Sequence, residues 1–273
     1  MSIKSLGKES IIYGFGHVMA RMVTFLLLPL YTHYFSPDQY GIISLSYAFI
    51  GFALIIYRYG MDTALMKYAV QETGLERKKH ITVVLISQII TSLIFSLILY
   101  SSRKHFALYI IGLDRPEWIT FLSIILFLDS LWNLPLLILR SENKAIPFIS
   151  FSLFNVLSTM LLNIYFVVKM GYGVEGVFLS NIISSLIVLF FSLPIIYKNL
   201  SIKVFEFKIL KKVLHFGLPF LPAGFFTMIM ELSDRYLVGL MMGIEDVGLY
   251  SAGKKLGMLG LTVVMGFNMG WTP

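Results

Sequence analysis

The stretch ITVVLISQIITSLIFSLILYS, residues 81–101, contains no charged side chain over its whole length. A helix rises about 1.5 Å per residue and the hydrocarbon core of a bilayer is about 30 Å thick, so about twenty apolar residues cross it. The stretch is continuously apolar and does not alternate every second residue, which excludes a strand of an outer-membrane barrel. It therefore predicts a transmembrane helix.

Apolar segments of similar length recur along the whole chain. Of the 273 residues, 57% are hydrophobic and 14% charged, and the mean hydropathy of +0.81 lies outside the range of soluble domains. The first apolar run is too long for a signal-peptide core and lacks a small-residue cleavage pattern, so we expect it to remain as the first helix. We predict an all-α integral membrane protein with about eight transmembrane helices, at residues 11–35, 41–59, 81–101, 118–139, 148–168, 176–197, 213–235 and 247–271.

The basic residues predict the orientation of these helices. If the N-terminus is cytoplasmic, most Lys and Arg residues fall on inward segments and few on outward ones, as the positive-inside rule requires. We therefore predict a multi-pass protein of the inner (cytoplasmic) membrane with its N-terminus in the cytoplasm. This topology explains the net charge of +7, so no nucleic-acid partner is expected.

The longest inward loop, residues 198–212, alternates basic and apolar residues. Two interpretations stand. The loop is either an amphipathic segment on anionic headgroups, with membrane lipids as partners, or a solvated loop whose charge only sets the orientation.

Little in the sequence indicates a metal or cofactor. The chain has no cysteine, and its five histidines show no paired ligand spacing, so we expect neither a metal site nor a cofactor. Residues 171–176, GYGVEG, match the glycine pattern of dinucleotide-binding loops, but no strand precedes them. We interpret them as a turn between two helices.

An internal repeat links the beginning and the end of the chain. Residues 38–44, DQYGIIS, correspond to residues 245–251, EDVGLYS, and both copies open a helix with acidic residues that suit its positive N-terminus. Six predicted helices separate the copies, which predicts a repeat axis along the membrane normal, as in two-lobed transporters. We predict a six-helix lobe at residues 1–200 and the first hairpin of an incomplete second lobe at 201–273.

Three stretches carry a resemblance to a known family. They are FSPDQYG at 35–41, GMDTAL at 60–65, and DRY at 234–236 followed by Gly243 and VGLYS at 247–251. The chain resembles the polysaccharide exporters and O-antigen-type lipid-linked oligosaccharide flippases of the multidrug/oligosaccharidyl-lipid/polysaccharide superfamily. It departs from that pattern in ending after the first two helices of the second lobe.

The resemblance implies a flippase, not an enzyme. It would move a polyprenyl-pyrophosphate-linked oligosaccharide from the inner to the outer leaflet, with polysaccharide assembly proteins as further partners. One alternative is a cation-coupled multidrug exporter of the same superfamily. Another is a membrane-embedded polysaccharide polymerase or transferase, although the longest outward loop, 102–117, is too short for an added catalytic domain.

Charged residues within predicted spans are the candidate site residues, because an intramembrane charge costs several kcal/mol unless it is paired or hydrated. We expect Arg21 and Arg58, together with Lys67 on the inward segment after the second span, to line a cationic cavity for the diphosphate, since an arginine holds two oxygens at once. Asp62, four residues after Arg58, should share its helical face, so an Arg58–Asp62 ion pair is one alternative. An arginine that reaches the headgroups is the other.

A second set of polar residues indicates either a coupling site or helix packing. Asp129 and Asn133 lie one helical turn apart, on a face that could bind sugar hydroxyls or a cation, or form an interhelical hydrogen bond. Glu231, Asp234 and Lys255 belong to a charged cluster between the last two helices, for which we expect salt bridges before any coupling role.

Overall fold

The computed structural model describes residues 3–201 and 205–271, with side chains described for residues 14–258 except positions 15, 17, 20, 21, 24 and 202–204. These residues form helices and turns and contain no strand. The helices are α1 (Ile3–Tyr34), α2 (Pro37–Arg58), α3 (Met61–Gln71), α4 (Gly74–Ser101), α5 (Arg103–Phe106), α6 (Pro116–Ser141), α7 (Ala145–Asn163), α8 (Gly173–Asn199), α9 (Phe207–Gly217), α10 (Phe220–Met241) and α11 (Ile244–Trp271). Short π-helical segments extend α5 (Ala107–Ile111) and α7 (Ile164–Lys169).

The chain is an all-α, multi-pass integral membrane protein. In the described residues, five helices are long and apolar enough to cross a membrane: α2, α4, α6, α7 with its π-helical extension, and α8. The α9–α10 pair makes a sixth span if it is counted as one bent element. The predicted total of eight stays a prediction, because the two remaining spans fall on α1 and α11, whose side chains are only partly described.

The predicted span 213–235 is divided in the structure. It runs through the end of α9 and most of α10, and these two helices are bent by 41° at Leu218–Pro219. Proline has no amide hydrogen and its ring clashes with the preceding turn, so the helix cannot continue straight through it. The result is a short amphipathic helix, α9, followed by a longer apolar one.

A second break corrects the sequence analysis directly. Arg58 and Asp62 were expected on one helical face, but α2 ends at Arg58 and α3 begins at Met61. Tyr59 and Gly60 between them have φ of +33° and +79°, a left-handed conformation that ends a helix. The i,i+4 relation between Arg58 and Asp62 is therefore wrong.

The helical bundle has two ends, and each takes its name from one of its residues. The Ser36 end holds the turns α1–α2, α7–α8 and α10–α11, and the Arg77 end holds the turns α2–α3, α6–α7 and α8–α9. At the first, Ser36 caps α2 in a reciprocal capping box with Gln39. At the second, Arg77 donates hydrogen bonds to Ala69 O, Asn199 Oδ1, Ser141 Oγ and Glu142 Oε1, at 3.0, 2.7, 3.2 and 3.0 Å.

The repeat found in the sequence is a reciprocal contact in the structure. Helix α2 makes its most extensive contact with α11, at the Ser36 end. A Cβ on Gly41 would lie 2.1 Å from the backbone oxygen of Ile244, and a Cβ on Gly248 would lie 2.0 Å from that of Pro37. Gly41 corresponds to Gly248 in the repeat, and Pro37 to Ile244. Each copy therefore packs its glycine on the first turn of the other helix.

Candidate functional site

A charged cavity lies where α10 and α11 meet the first helices of the chain. It has a volume of about 320 Å³ and is called here the Lys255 cavity. Its polar and charged lining comes from six helices: Tyr31 on α1, Tyr40, Ser44 and Tyr47 on α2, Asn155 and Thr159 on α7, Asn181 on α8, Arg235 on α10 and Lys255 on α11. Within the described part of the chain, this lining contains two cations and no carboxylate.

Both cations lack an acidic partner among the described residues. The Nε of Arg235 is buried and has no hydrogen-bond partner there. Lys255 Nζ lies over the rings of Tyr31 and Tyr40, 5.4 and 5.5 Å from their centroids, a cation–π arrangement. Each intramembrane Lys or Arg costs about 2.5–3.5 kcal/mol on insertion scales, so two unpaired cations indicate a site for an anion.

Neutral polar groups surround these cations. Asn181 Nδ2 donates to the hydroxyl of Tyr47 at 3.3 Å, and the Tyr31 hydroxyl donates to Asn163 Oδ1 at 3.1 Å. The hydroxyl of Tyr40 is buried with no partner in the described residues. Buried polar atoms are nearly always hydrogen-bonded in proteins, so free groups on a cavity wall indicate a polar ligand or water.

The two predicted acidic residues of the same hairpin do not pair with the cavity cations. Asp234 forms an ion pair with Lys254 and accepts a hydrogen bond from the Tyr250 hydroxyl at 2.6 Å. Glu231 contributes only its backbone oxygen, which accepts from Lys254 Nζ at 2.9 Å, and its side chain is exposed. The expected salt bridge is present for Asp234, whereas Lys255 faces the cavity.

A second cavity of about 320 Å³ lies toward the Arg77 end and is called here the Arg58 cavity. It is lined by Arg58, by Asp62 and Thr63 of α3, and by residues of α10 that include Phe220 and Met228. Asp62 accepts from the backbone amide of Thr63 at 2.9 Å, and the described residues contain no Arg58–Asp62 ion pair. The Nε of Arg58 is buried without a partner there.

The other two residues of the predicted cationic cavity are not brought to Arg58. Lys67 Nζ lies 3.7 Å from the ring centroid of Phe216 on α9, outside the lining of the Arg58 cavity. The structure therefore does not bring Lys67 to the described wall of the Arg58 cavity. Arg21 lies within α1, but its side chain falls outside the described residues.

Asp129 is part of a hydrogen-bonded contact between helices. Its Oδ1 accepts from Trp132 Nε1 at 2.9 Å and from Ser185 Oγ of α8 at 2.6 Å. Ser185 Oγ also contacts Asn181 Oδ1 at 3.3 Å, which connects Asp129 to the wall of the Lys255 cavity. Asn133 makes no such hydrogen bond among the described residues, and a joint role with Asp129 stays a prediction.

The glycine-rich segment 171–176 begins in the turn between two helices and ends in the first turn of α8. It joins the π-helical end of α7 to α8, and Gly171 and Gly173 have φ of +69° and +60°. No strand precedes it in the described chain, so the sequence interpretation is confirmed.

Most residues of the Lys255 cavity were not predicted from the sequence. Arg235 was not a predicted binding residue, and the tyrosines were not singled out. One signal was available, because Tyr40, Ser44 and Tyr47 recur at helical spacing on α2 and form a polar stripe on an apolar helix. That stripe lines the cavity in the structure.

Comparisons with known proteins place the chain in a family. Residues 6–273 match the family described as "Polysaccharide biosynthesis protein". Lsg locus putative protein 1 of Haemophilus influenzae is 26% identical over 279 aligned residues, which cover 97% of this chain and 65% of that protein. The chain thus spans about 65% of the length of that curated relative.

Solved structures show the same fold. The MATE multidrug transporter DinF-BH matches with a TM-score of 0.75 at 15% identity, covering 98% of this chain and 64% of that one. A MOP superfamily transporter from Pyrococcus furiosus, whose binding pocket is described as having reversed polarity, matches with a TM-score of 0.67 at 17% identity, covering 96% and 62%. The structural match establishes the architecture, and the match over residues 6–273 shows that the chain belongs to the polysaccharide biosynthesis protein family.

Proposed function

We propose that this chain is part of a flippase that moves a polyprenyl-pyrophosphate-linked oligosaccharide across the cytoplasmic membrane for polysaccharide export. The observation that carries the proposal is the Lys255 cavity, where Arg235 and Lys255 face a space whose described wall has no carboxylate. Membership of the polysaccharide biosynthesis family supports the substrate class.

The chemistry of the cavity suits a sugar diphosphate. The planar guanidinium of Arg235 can hold two oxygens of a diphosphate at once, and Lys255 supplies a second positive charge. The amides of Asn155 and Asn181 and the free hydroxyl of Tyr40 can hydrogen-bond sugar hydroxyls. A hydrophobic cation would meet two like charges there, which disfavours it.

The two cavities lie at different levels of the membrane along α2. Residues 40–47 line the Lys255 cavity, and residues 51–58 line the Arg58 cavity. Ser44 and Arg58 are fourteen residues apart, or about 21 Å along the helix axis. Leu232 packs on Gly51 at the edge of the Arg58 cavity nearest the Lys255 cavity, since a Cβ on Gly51 would lie 2.5 Å from Leu232 Cδ1. Arg58 would bind the diphosphate first, and Arg235 with Lys255 would bind it after this apolar contact opens.

The same mechanism implies an orientation. The Arg77 end carries the excess of basic residues, among them Lys78, Arg140 and Lys198, and we propose that it faces the cytoplasm. These 273 residues contain no cysteine, so a single introduced cysteine reports directly on which side of the membrane it lies. In intact cells, Lys169→Cys at the Ser36 end should react with an impermeant maleimide, and Lys144→Cys should react only after permeabilisation. The reverse result would overturn the orientation.

The test of function uses cells that depend on this protein for surface polysaccharide. Arg235→Gln and Lys255→Gln should each lower surface polysaccharide by tenfold or more at equal membrane abundance. Lys104→Gln, an equal charge change at an exposed position, should leave it unchanged. Purified protein should also lose binding of inorganic pyrophosphate in the two cavity variants. Normal export by the Arg235→Gln/Lys255→Gln double variant would refute the proposal.

A multidrug exporter is the second candidate, and the fold match to the multidrug transporter favours it. Such an exporter needs an acidic group that can exchange a cation, and Asp129 is the candidate beside the Lys255 cavity. Loss of drug resistance in Asp129→Asn, with normal surface polysaccharide, would favour this function over the flippase.

A further inference from the structure

Helix α9 has a charged surface that neither cavity uses. This surface, called the α9 basic face, consists of four exposed residues: Lys208, Lys211, Lys212 and His215. On the opposite side, Ile209 and Val213 are buried against α3, in a cluster with Leu65 and Tyr68. The helix is therefore amphipathic, with one side packed on the protein and the other free.

The position of α9 is fixed at both ends. Glu206, just before the helix, forms an ion pair with Lys79 of α4 at 3.0 Å. At the other end a Cβ on Gly217 would lie 2.7 Å from the backbone oxygen of Gly60, so the two backbones are in direct contact. The α9 basic face is thus held in one place at the Arg77 end of the bundle.

Two of the lysines have no acidic partner among the described residues. Lys212 lies 3.7 Å from Glu72 and 4.6 Å from the ring centroid of Tyr68, whereas Lys208 and Lys211 form no ion pair there. The flanking aromatic residues are exposed, with Phe207 at 75% and Phe205 at 45%. If this segment were surrounded by bulk water, both phenylalanine side chains would be in contact with solvent, which is unfavourable.

The segment combines unpaired lysines with exposed phenylalanines on an amphipathic helix that is held in place. This combination is typical of a segment that lies in the membrane interface. We infer that the α9 basic face binds the headgroup of an anionic phospholipid, with Lys208 and Lys211 on its phosphate and Phe205 and Phe207 among the acyl chains. This interaction is separate from substrate transport and stands without the proposed flippase activity. It selects the amphipathic interpretation of the loop at residues 198–212.

The test measures which lipid contacts α9. The full chain with the single substitution His215→Cys is labelled with bimane and reconstituted in mixtures of phosphatidylglycerol and phosphatidylcholine. Quenching by the brominated form of each lipid in turn gives the relative binding constant of the two lipids at α9. A lysine near an anionic surface contributes about a factor of five, so Lys208→Gln/Lys211→Gln should lower the preference for phosphatidylglycerol by about 5- to 25-fold.

The matched control removes two lysines from the other end. Lys104→Gln/Lys169→Gln makes the same charge change at exposed positions of the Ser36 end and should leave the preference unchanged. Equal quenching by both brominated lipids, or a preference unaffected by Lys208→Gln/Lys211→Gln, would overturn the inference. So would absence of quenching, which would mean that protein or water covers the face. Displacement of the lipid by soluble glycerol phosphate would also overturn it, because the face would then be a phosphate site that does not need a bilayer.

Discussion

The close contact of α2 and α11 at the Ser36 end gives the sharpest prediction. Gly248→Ala places a methyl group 2.0 Å from the backbone oxygen of Pro37 and 3.1 Å from the amide nitrogen of Gly41. Real Cβ atoms essentially never come closer than 3.0 Å to another heavy atom, so the α2–α11 distance must grow by about 1.0 Å there. Neither neighbour can rotate away, because both are backbone atoms.

The magnitude follows from overpacking. Inserting a methyl group into a closely packed contact costs about 1–3 kcal/mol. That cost corresponds to a shift of about 5- to 150-fold away from the conformation with this contact closed. Gly253→Ala is the matched control, because it lies on the same helix and a Cβ there has no heavy atom within 4 Å. It reports the gain in helix propensity alone, about 1 kcal/mol.

The assay is a distance measurement between the two repeat copies. Spin labels on Asp38→Cys and Glu245→Cys, both exposed and equivalent in the repeat, report the opening of the Ser36 end through the dipolar broadening of continuous-wave electron paramagnetic resonance spectra, which suits labels this close together. Gly248→Ala should broaden the distribution and move it to longer distances, and Gly253→Ala should leave it unchanged. If the two variants gave the same distribution, the glycine contact would not hold the helices together.

Three further predictions concern stability. Arg77→Ala removes four hydrogen bonds at the Arg77 end and should lower the unfolding free energy by about 3–5 kcal/mol in denaturant titrations, whereas exposed Arg140→Ala should change it by less than about 0.5 kcal/mol. Burial alone would raise the pKa of Glu142, but hydrogen bonds from Lys144 and Arg77 lower it below the usual 4.5. The ionised Glu142 therefore stabilises the fold above pH 4.5, and this stabilisation is lost as the pH falls through the lowered pKa. Melting temperatures of Glu142→Gln should therefore depend less on acidification, and an unchanged acid dependence would contradict this. Ser36→Ala removes the N-cap of α2 and should lower the unfolding free energy by about 1 kcal/mol. Ser101→Ala should leave it unchanged, because Ser101 is exposed and caps no helix N-terminus.

The positions of the membrane helices could be predicted from the sequence, because the length of an uninterrupted apolar stretch depends only on neighbouring residues. Residues 81–101, the stretch that indicates a membrane helix, lie entirely within α4. The breaks were harder to predict. Tyr59 takes a left-handed φ that is uncommon outside glycine, and Pro219 lies inside a run that is otherwise apolar and of bilayer length.

The cavities could not be predicted in the same way, because their walls come from helices distant in sequence. Tyr31 and Lys255 lie near opposite ends of the chain, yet the Lys255 ammonium lies over the Tyr31 ring. Sequence showed that Lys254 and Lys255 both fall within one span. It could not show that Lys254 pairs with Asp234 while its neighbour faces a cavity, since that depends on how α10 and α11 are rotated.

The distribution of paired and unpaired cations separates structural charges from candidate binding charges. Arg77, Lys79 and Lys254 all have carboxylate partners and join helices to one another. Arg58, Arg235 and Lys255 lie in cavities and form no ion pair in the described chain. Retaining three such cations within a membrane is costly unless an anionic ligand or water compensates them. The protein also has carboxylates close by, at Asp62 and Asp234, that are held by Thr63 and by Lys254 with Tyr250. Because nearby carboxylates leave these cations unpaired, the arrangement favours binding of an anionic ligand over internal stabilisation.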